Sequence, residues 1–442
     1  MKKLTVGQKE RLAKGWNAYR HGDPYPEDLP TCIVPWTSIA LAANGNIKPC
    51  CVFKHIHIPE EHHPYDESGA TVKEPNFYKG FTLERAHEQN QWLRKEFIAK
   101  RKPEACGGCW KNEDALGASR RQWMLEKIKD PPKEYTVDTP LDLRHMDLNF
   151  GNTCNLKCRM CGSWGSTHWF KEDVKLNDIN RDFERAVNHA QPKSIDSSYW
   201  LERPHYFKNM ERIDFKGGEP FMQQGHYDVL QMLVDNGSAK NVELGYVTNG
   251  TKTPELLKDL WPHFKRIVLN VSVEASTSGL YEYIRGGNTQ TIEQLEKSIY
   301  WYDQFDNIKG NFSVAISILN VFDLENLSDW MEHVTVNTKH WKTLVADRTS
   351  DHWKRYERPV NFAQLVTDPR YLDLNIMPMY LKEAVLARWT KKYHALDVLR
   401  ERLTVDSYDE KNWNLFKQFT SELDRMRGTN IVDHIPEMAG EF

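Results

Sequence analysis

Cys154-Asn155-Leu156-Lys157-Cys158-Arg159-Met160-Cys161 decides how the rest of the chain is read. Three cysteines fall within these eight residues, spaced C-x3-C-x2-C. Thiolates are soft ligands that suit iron–sulfur clusters and zinc. A cubane [4Fe–4S] cluster takes four ligands, so three cysteines leave one iron open to a small molecule. A structural zinc site is the other reading, but it normally closes its tetrahedron with a second C-x2-C pair. Just upstream, Met146-Asp147-Leu148-Asn149-Phe150 reads as a short strand and Gly151-Asn152 as a turn. The cysteines then follow the C-terminal end of a strand, where α/β folds place their chemistry.

Downstream, strand-like and helix-like patterns alternate, which predicts a parallel sheet crossed by helices. Strands are read at residues 212–216, 243–247, 266–274 and 311–319, with residues 360–366 as a sixth, and a helix from His168 to His189. The strand at 212–216 ends in Gly217-Gly218-Glu219-Pro220, and the next ends in Thr248-Asn249-Gly250. Ser272 and Glu274 are two apart on a strand and so share a face. Beyond about residue 370 the spacing is helical, at 380–389 and 413–426.

Upstream, residues 1–30 form a polar arm broken by Pro24, Pro26 and Pro30. Asn44-Gly45 between two apolar runs predicts a hairpin with a type I′ turn, positive φ at both central residues. That hairpin brings Cys32 and the Cys50-Cys51 pair to one end. His55, His57, His62 and His63 read as solvated loop residues, because no fixed element orders them for a metal. Residues 83–100 have helical spacing, stopped by Pro103. Cys106-Gly107-Gly108-Cys109 is a tight C-x2-C turn that aims two thiolates at one metal. Pro131, Pro132 and Pro140 mark residues 126–140 as a linker.

At 442 residues, two or three domains are expected. Apolar content of 40% and charged content of 27% are those of a globular protein, and a net charge of −3 with interspersed signs advertises no nucleic-acid or anionic-membrane surface. No apolar run reaches transmembrane length, and the basic N-terminus lacks the apolar stretch of a signal peptide. The eight cysteines cluster in motifs, as metal ligands in a reducing compartment do, so a cytoplasmic location is expected.

The cysteine loop, Gly217-Gly218-Glu219-Pro220 and the Ser272/Glu274 pair together resemble the signature of the radical S-adenosylmethionine (radical SAM) superfamily over residues 145–320. The resemblance implies a partial (β/α)6, TIM-like barrel at residues 141–370, α/β in class. It implies a [4Fe–4S] cluster on the catalytic cysteines Cys154, Cys158 and Cys161, with S-adenosylmethionine on the open iron. An electron from a flavodoxin- or ferredoxin-type reductant would cleave that cofactor to a 5′-deoxyadenosyl radical, which takes hydrogen from the substrate. Gly217, Gly218, Glu219 and Pro220 match the family's GGEP motif: the glycines allow close approach and Glu219 accepts from the cofactor amine. Ser272 and Glu274 match the ribose position. Arg285 resembles an arginine that pairs with the cofactor carboxylate, its alternative being a surface ion pair. Met160 is a departure, standing where the family carries an aromatic against the adenine; methionine is polarisable enough for that contact. Thr248 and Asn249 either line the same cavity or are simply a turn.

Cys32, one of Cys50 and Cys51, Cys106 and Cys109 resemble the ligands of a Twitch or SPASM-type auxiliary iron–sulfur module, at residues 31–125. Such modules usually follow the catalytic domain, whereas this hairpin and helix precede it. Zinc would use the same ligands, and that alternative stays open. Cys50 is slightly favoured over Cys51 because the resembling motif ends Pro-Cys. The module's relatives point to a peptide or protein substrate. The alternatives are a small metabolite, such as a carbohydrate or nucleotide, and a non-catalytic iron–sulfur or zinc scaffold. No chemistry is assigned to the helical residues 371–442.

Overall fold

The computed structural model describes residues 29–65, 71, 75–77, 80–116, 119–128, 134–185, 195–286, 290–341, 364–366, 368–391 and 394–442. The expectations for residues 1–28, for Pro131 and Pro132, for the helix beyond residue 185 and for residues 360–363 lie outside these.

An open sheet runs in the order β2-β1-β3-β4-β5-β6-β7. Its strands are β1 (Ser38–Leu41), β2 (Ile47–Lys48), β3 (His145–Leu148), β4 (Arg212–Phe215), β5 (Glu243–Thr248), β6 (Arg266–Ser272) and β7 (Ile308–Ser313). All neighbours are parallel except β1 and β2. Six parallel strands and their crossover helices make the partial barrel expected from the sequence. The sixth strand, however, is β1 of the N-terminal hairpin, in register with β3 from Ser38↔His145 to Leu41↔Leu148. The stretch expected to supply it contributes β9 (Gln364–Leu365), which pairs with β8 (Ala315–Ile316) in a separate two-stranded sheet. Residues 311–319 are accordingly not one strand but the end of β7 followed by β8.

Alternation along the strands sorts the side chains. On β6, Ile267, Leu269 and Val271 are buried against the helices, while Arg266, Val268, Asn270 and Ser272 face the concave side. The helix Ile292–Tyr302 covers the convex face with Ile292, Leu295, Ile299 and Tyr302, spaced for one helical face and started by a Thr291/Gln294 capping box. The helix Leu324–Val336 does the same with Leu324, Leu327, Met331 and Val334.

The hairpin turn is longer than expected. Gly45 has φ of 84°, but no other residue of the turn has positive φ, so it is not type I′. The Asn44 side chain instead accepts from Asn46 N at 3.1 Å. The helix expected at 83–100 is two, Leu83–Gln89 and Gln91–Ile98, with Asn90 capping the first and opening the second. The helix expected from His168 is a short 3-10 turn and then Phe170–Ile179, stopped where Asn180 turns extended to cap the next turn. Residues 29–135 hold a core of their own, with Trp36, Phe53, Leu93, Phe97 and Met124. Ile39, Leu41 and Ile47 nonetheless belong to the main core, so the hairpin straddles the two.

His226 on the helix Gln224–Asp235 is fully buried, with Nε2 2.8 Å from the Tyr246 hydroxyl and Nδ1 without a partner among the described residues. Burial pushes its pKa down to about 3 from 6.5. Below pH 6.5 the unfolded chain takes a proton that the folded chain refuses, so stability present above 6.5 is lost as pH falls toward 3. The slope from this group approaches about 1.4 kcal/mol per pH unit. Denaturant titrations at pH 7.5 and 5.5 should show the loss, and His226→Gln should flatten it; an equal slope in the variant would remove His226 as the cause.

Candidate active site

The cysteine loop follows β3 and is fixed by its own backbone and by three distant elements. Asn152 donates to Ser163 O at 2.9 Å, and Thr167 N donates to Asn152 O at 3.1 Å, closing the loop at its base. Cys161 N donates to Cys158 O at 2.9 Å, which turns the second and third thiols to one side. Trp169 Nε1 donates to the same Cys158 carbonyl at 3.0 Å. Arg185, itself held by Asp173 at 2.7 Å, donates to Cys161 O at 2.5 Å. Arg159 is 1% exposed: its N donates to Ile284 O at 2.8 Å and its Nε to Tyr283 O at 2.8 Å. The same guanidinium lies over the Tyr283 ring at 3.6 Å and pairs with Asp424 and Thr429. Lys157 pairs with Glu172, which also binds Arg427, at 2.7 and 2.6 Å. Asp424 and Arg427 stand on the helix Glu410–Arg427. The C-terminal region, to which the sequence assigned no chemistry, therefore clamps the cysteine loop.

Cys154 is buried, and Cys158 and Cys161 are half-buried. Burial pushes the Cys154 thiol up to about 11 and the Cys161 thiol up to about 12, with the neighbouring cysteines adding to the shift. Leu156 N and Asn249 Nδ2 point at Cys154 Sγ, at 3.5 and 3.7 Å. Three thiols that repel one another as anions are the donor set of a cation-rich cluster. Arg285 adds to this fit. Its Nη1 binds Glu274 at 2.9 Å, it acts electrostatically on Cys158 and Cys154, and its buried Nε has no partner among the described residues. An anionic group beside the thiols would satisfy that nitrogen.

Gly217-Gly218-Glu219-Pro220 runs directly along the start of this loop. Gly218 N donates to Gly151 O at 3.1 Å and Glu219 N to Thr153 O at 2.8 Å. A β-carbon on Gly218 would stand 2.1 Å from Thr153 O, and Gly217 has φ of 117°, so both positions need glycine. Glu219 is fully buried and accepts from Thr248 Oγ1 at 2.7 Å, Asn249 N at 2.8 Å and Phe221 N at 3.3 Å. Burial raises its pKa although each of these bonds opposes the rise. Thr248 and Asn249 thus hold Glu219, and Asn249 also reaches Asn155 at 3.0 Å. Ser272 ends β6 opposite Ser313. Glu274 and Arg285, read as separate cofactor contacts, form one buried pair. Met160 packs half-buried on the main core.

Around a second cavity stand Cys32, Cys50, Cys106 and Cys109. Burial pushes Cys32 up to about 12 and raises Cys50, Cys106 and Cys109 as well. Arg121 braces this site, binding Glu113 and Thr31 O and lying 4.8 Å over the Trp110 ring. Cys51 is exposed and turns the other way, toward Asp147, Lys216 and Arg120. The loop histidines do not converge: His57 pairs with Glu104, His62 stacks on Trp92, His63 binds Ile58 O, and His55 is buried against Phe53.

The sequence reading missed a charged network on the concave face. His145 Nε2 meets Asp214 at 2.8 Å, Arg120 reaches Asp147 at 3.2 Å and Asp214 at 3.5 Å, and Lys216 binds Asp147 at 2.6 Å. Arg212 binds Asp214 at 2.6 Å and, with His145, holds that carboxyl well below the usual range against the upward push of burial. Among the described residues His145, Asp147 and Asp214 lie close enough to share a single metal ion, but Arg120, Arg212 and Lys216 already occupy their charge. The signal was the period of two in His145-Met146-Asp147 and Arg212-Ile213-Asp214, where the polar set is ionic.

Residues 148–333 match the model of the Radical SAM superfamily. The chain thus carries a radical SAM domain, the domain type of S-adenosylmethionine-dependent iron–sulfur enzymes. Among solved structures it is similar to anSMEcpe with bound AdoMet, at 14% identity over 45% of this chain and 49% of that one, TM-score 0.33. It is similar also to Streptococcus suis SuiB bound to S-adenosylmethionine, at 13% identity over 57% and 51%, TM-score 0.32. A third is TYW1 with a lysine-pyruvate adduct, at 12% identity over 55% and 69%, TM-score 0.28. The chain spans about half the length of the first two. A comparison with curated proteins finds no match. Among the described residues, no helix is long and apolar enough to cross a membrane.

Proposed function

We propose that the chain is a radical SAM enzyme whose substrate is a peptide or protein. The observation that carries the reading is the placement of Cys154, Cys158 and Cys161 beside the buried Glu274–Arg285 pair, inside the matched domain. When bound, a reduced [4Fe–4S] cluster supplies the electron that cleaves S-adenosylmethionine to a hydrogen-abstracting 5′-deoxyadenosyl radical. Cys154, Cys158 and Cys161 would hold that cluster. Arg285 would receive the cofactor carboxylate on its free Nε, and Ser272 would reach the ribose from the end of β6. Glu219 stiffens the cradle through Thr248 and Asn249 and meets the amine with its remaining acceptor capacity. Burial of these groups keeps water from the reacting atoms.

Residues 31–125 would be a Twitch or SPASM-like module with a second iron–sulfur cluster on Cys32, Cys50, Cys106 and Cys109. Residues 126–140 would link it to the catalytic domain at 141–370, with residues 371–442 as the clamp. All eight cysteines are free, which suits ligands in a reducing cytoplasm and a flavodoxin- or ferredoxin-type electron donor.

Anaerobically reconstituted protein, given dithionite and S-adenosylmethionine, should form 5′-deoxyadenosine by liquid chromatography, and Cys158→Ala should abolish it. Equal product from the variant would overturn the assignment.

A further inference from the structure

A cavity of about 360 Å3 runs along the concave face of the sheet, from Arg266 and Lys309 to Ser313 at the end of β7. Its lining is uneven. Near β7's end it offers the neutral groups Asn270, Asn311 and Ser313, and Ser313 sits in register with Ser272. At the N-terminal mouth Lys127, Arg266 and Lys309 come together from the helix Arg120–Lys127, β6 and β7. Of the described charged residues lining the cavity, six are cations and two are carboxylates. Asp214 is engaged by Arg212 and His145, and Glu243 by Arg212 and, at 3.7 Å, by Arg266. Among the described residues no carboxylate pairs with Lys127 or Lys309. Desolvation and the neighbouring Lys127 and Arg266 pull the Lys309 ammonium below its ordinary value. A cleft that gathers unpaired cations in a chain of net charge −3 focuses positive potential inward.

We propose that this cavity takes an extended acidic peptide segment, its carboxylates on Lys127, Arg266 and Lys309 and its reacting residue at the level of Ser272 and Ser313. The six steps from Arg266 to Ser272 span about 20 Å of strand, the reach of roughly six extended residues. A small phosphorylated metabolite does not bridge that distance. Asn270 donates to Tyr246 O at 2.9 Å and accepts from Asn311 at 3.3 Å. That leaves Asn311 Oδ1 and the Ser313 hydroxyl for a peptide backbone, which needs donors and acceptors but no charge. The inference rests on the radical SAM reading above for the position of the reacting residue.

The test is fluorescence anisotropy of a fluorescein-labelled hexaglutamate peptide titrated with the full chain, without cofactor or reductant. Binding should weaken as salt is raised, and a hexaserine peptide should bind at least tenfold more weakly. Lys127→Met with Lys309→Met should raise Kd at least tenfold, and Lys309→Gln alone, at an exposed strand position, about threefold. Unchanged affinity in both variants would overturn the proposal. So would displacement of the peptide by inorganic tripolyphosphate at lower concentration than by unlabelled hexaglutamate, which would assign the site to a phosphorylated small molecule. Failure to form 5′-deoxyadenosine would overturn the catalytic reading and leave this titration untouched, so the two failures are distinguishable.

Discussion

Replacing Arg159 with methionine should lower the free energy of unfolding by about 3–5 kcal/mol, the range for breaking one side of a buried ion pair. The reason lies in what is left behind. Asp424 keeps donors in Thr429 Oγ1 at 2.6 Å, Ile431 N at 2.8 Å and the Tyr283 hydroxyl at 3.2 Å, but loses its one cation among the described residues. Methionine fills the space over the Tyr283 ring without replacing the charge. Because Arg159 lies between Cys158 and Met160, the loop should loosen with it, and iron content after reconstitution should fall. Arg159→Met with Asp424→Leu should recover much of the stability, since the second change removes the stranded carboxylate. Denaturant titration and iron assay give both readouts. A loss under about 1 kcal/mol, the scale of an exposed pair, would show that the C-terminal helix does not hold the loop.

The second large effect is in metal content. If the proposed auxiliary site holds a cubane, the chain should carry about eight irons. Cys154→Ala, Cys158→Ala and Cys161→Ala combined should then leave about half. A zinc at the second site would instead give about four irons and one zinc, and a colourless triple variant. Cys50→Ala should cost the auxiliary metal, because Cys50 faces Cys32, Cys106 and Cys109. Cys51→Ala should not, because its thiol turns to Asp147 and Lys216. Equal losses from the two would contradict a four-cysteine site of this geometry.

What could be read in the sequence was local. The cysteine spacing, the glycine pair before Glu219 and the strand before the loop are each carried by a few consecutive residues. What could not be read joins residues far apart. Nothing near Ser38 says that it will lie beside His145, and a short apolar strand next to an Asn-Gly turn suggests a free hairpin. Arg159 looks like spacer between two cysteines, and its partner Asp424 looks like one more acid on an amphipathic helix. The ionic lining of the concave face was visible as alternation, yet alternation does not say which side of a sheet is solvent and which is a lumen filled from another element.

The clamp also orders events in time. Asp424 follows Arg159 by 265 residues. At about 5–20 residues per second, the thiols leave the ribosome roughly 13–53 seconds before the carboxylate that fixes them. A nascent chain stalled in that interval presents the three cysteines without the contact that seats their loop.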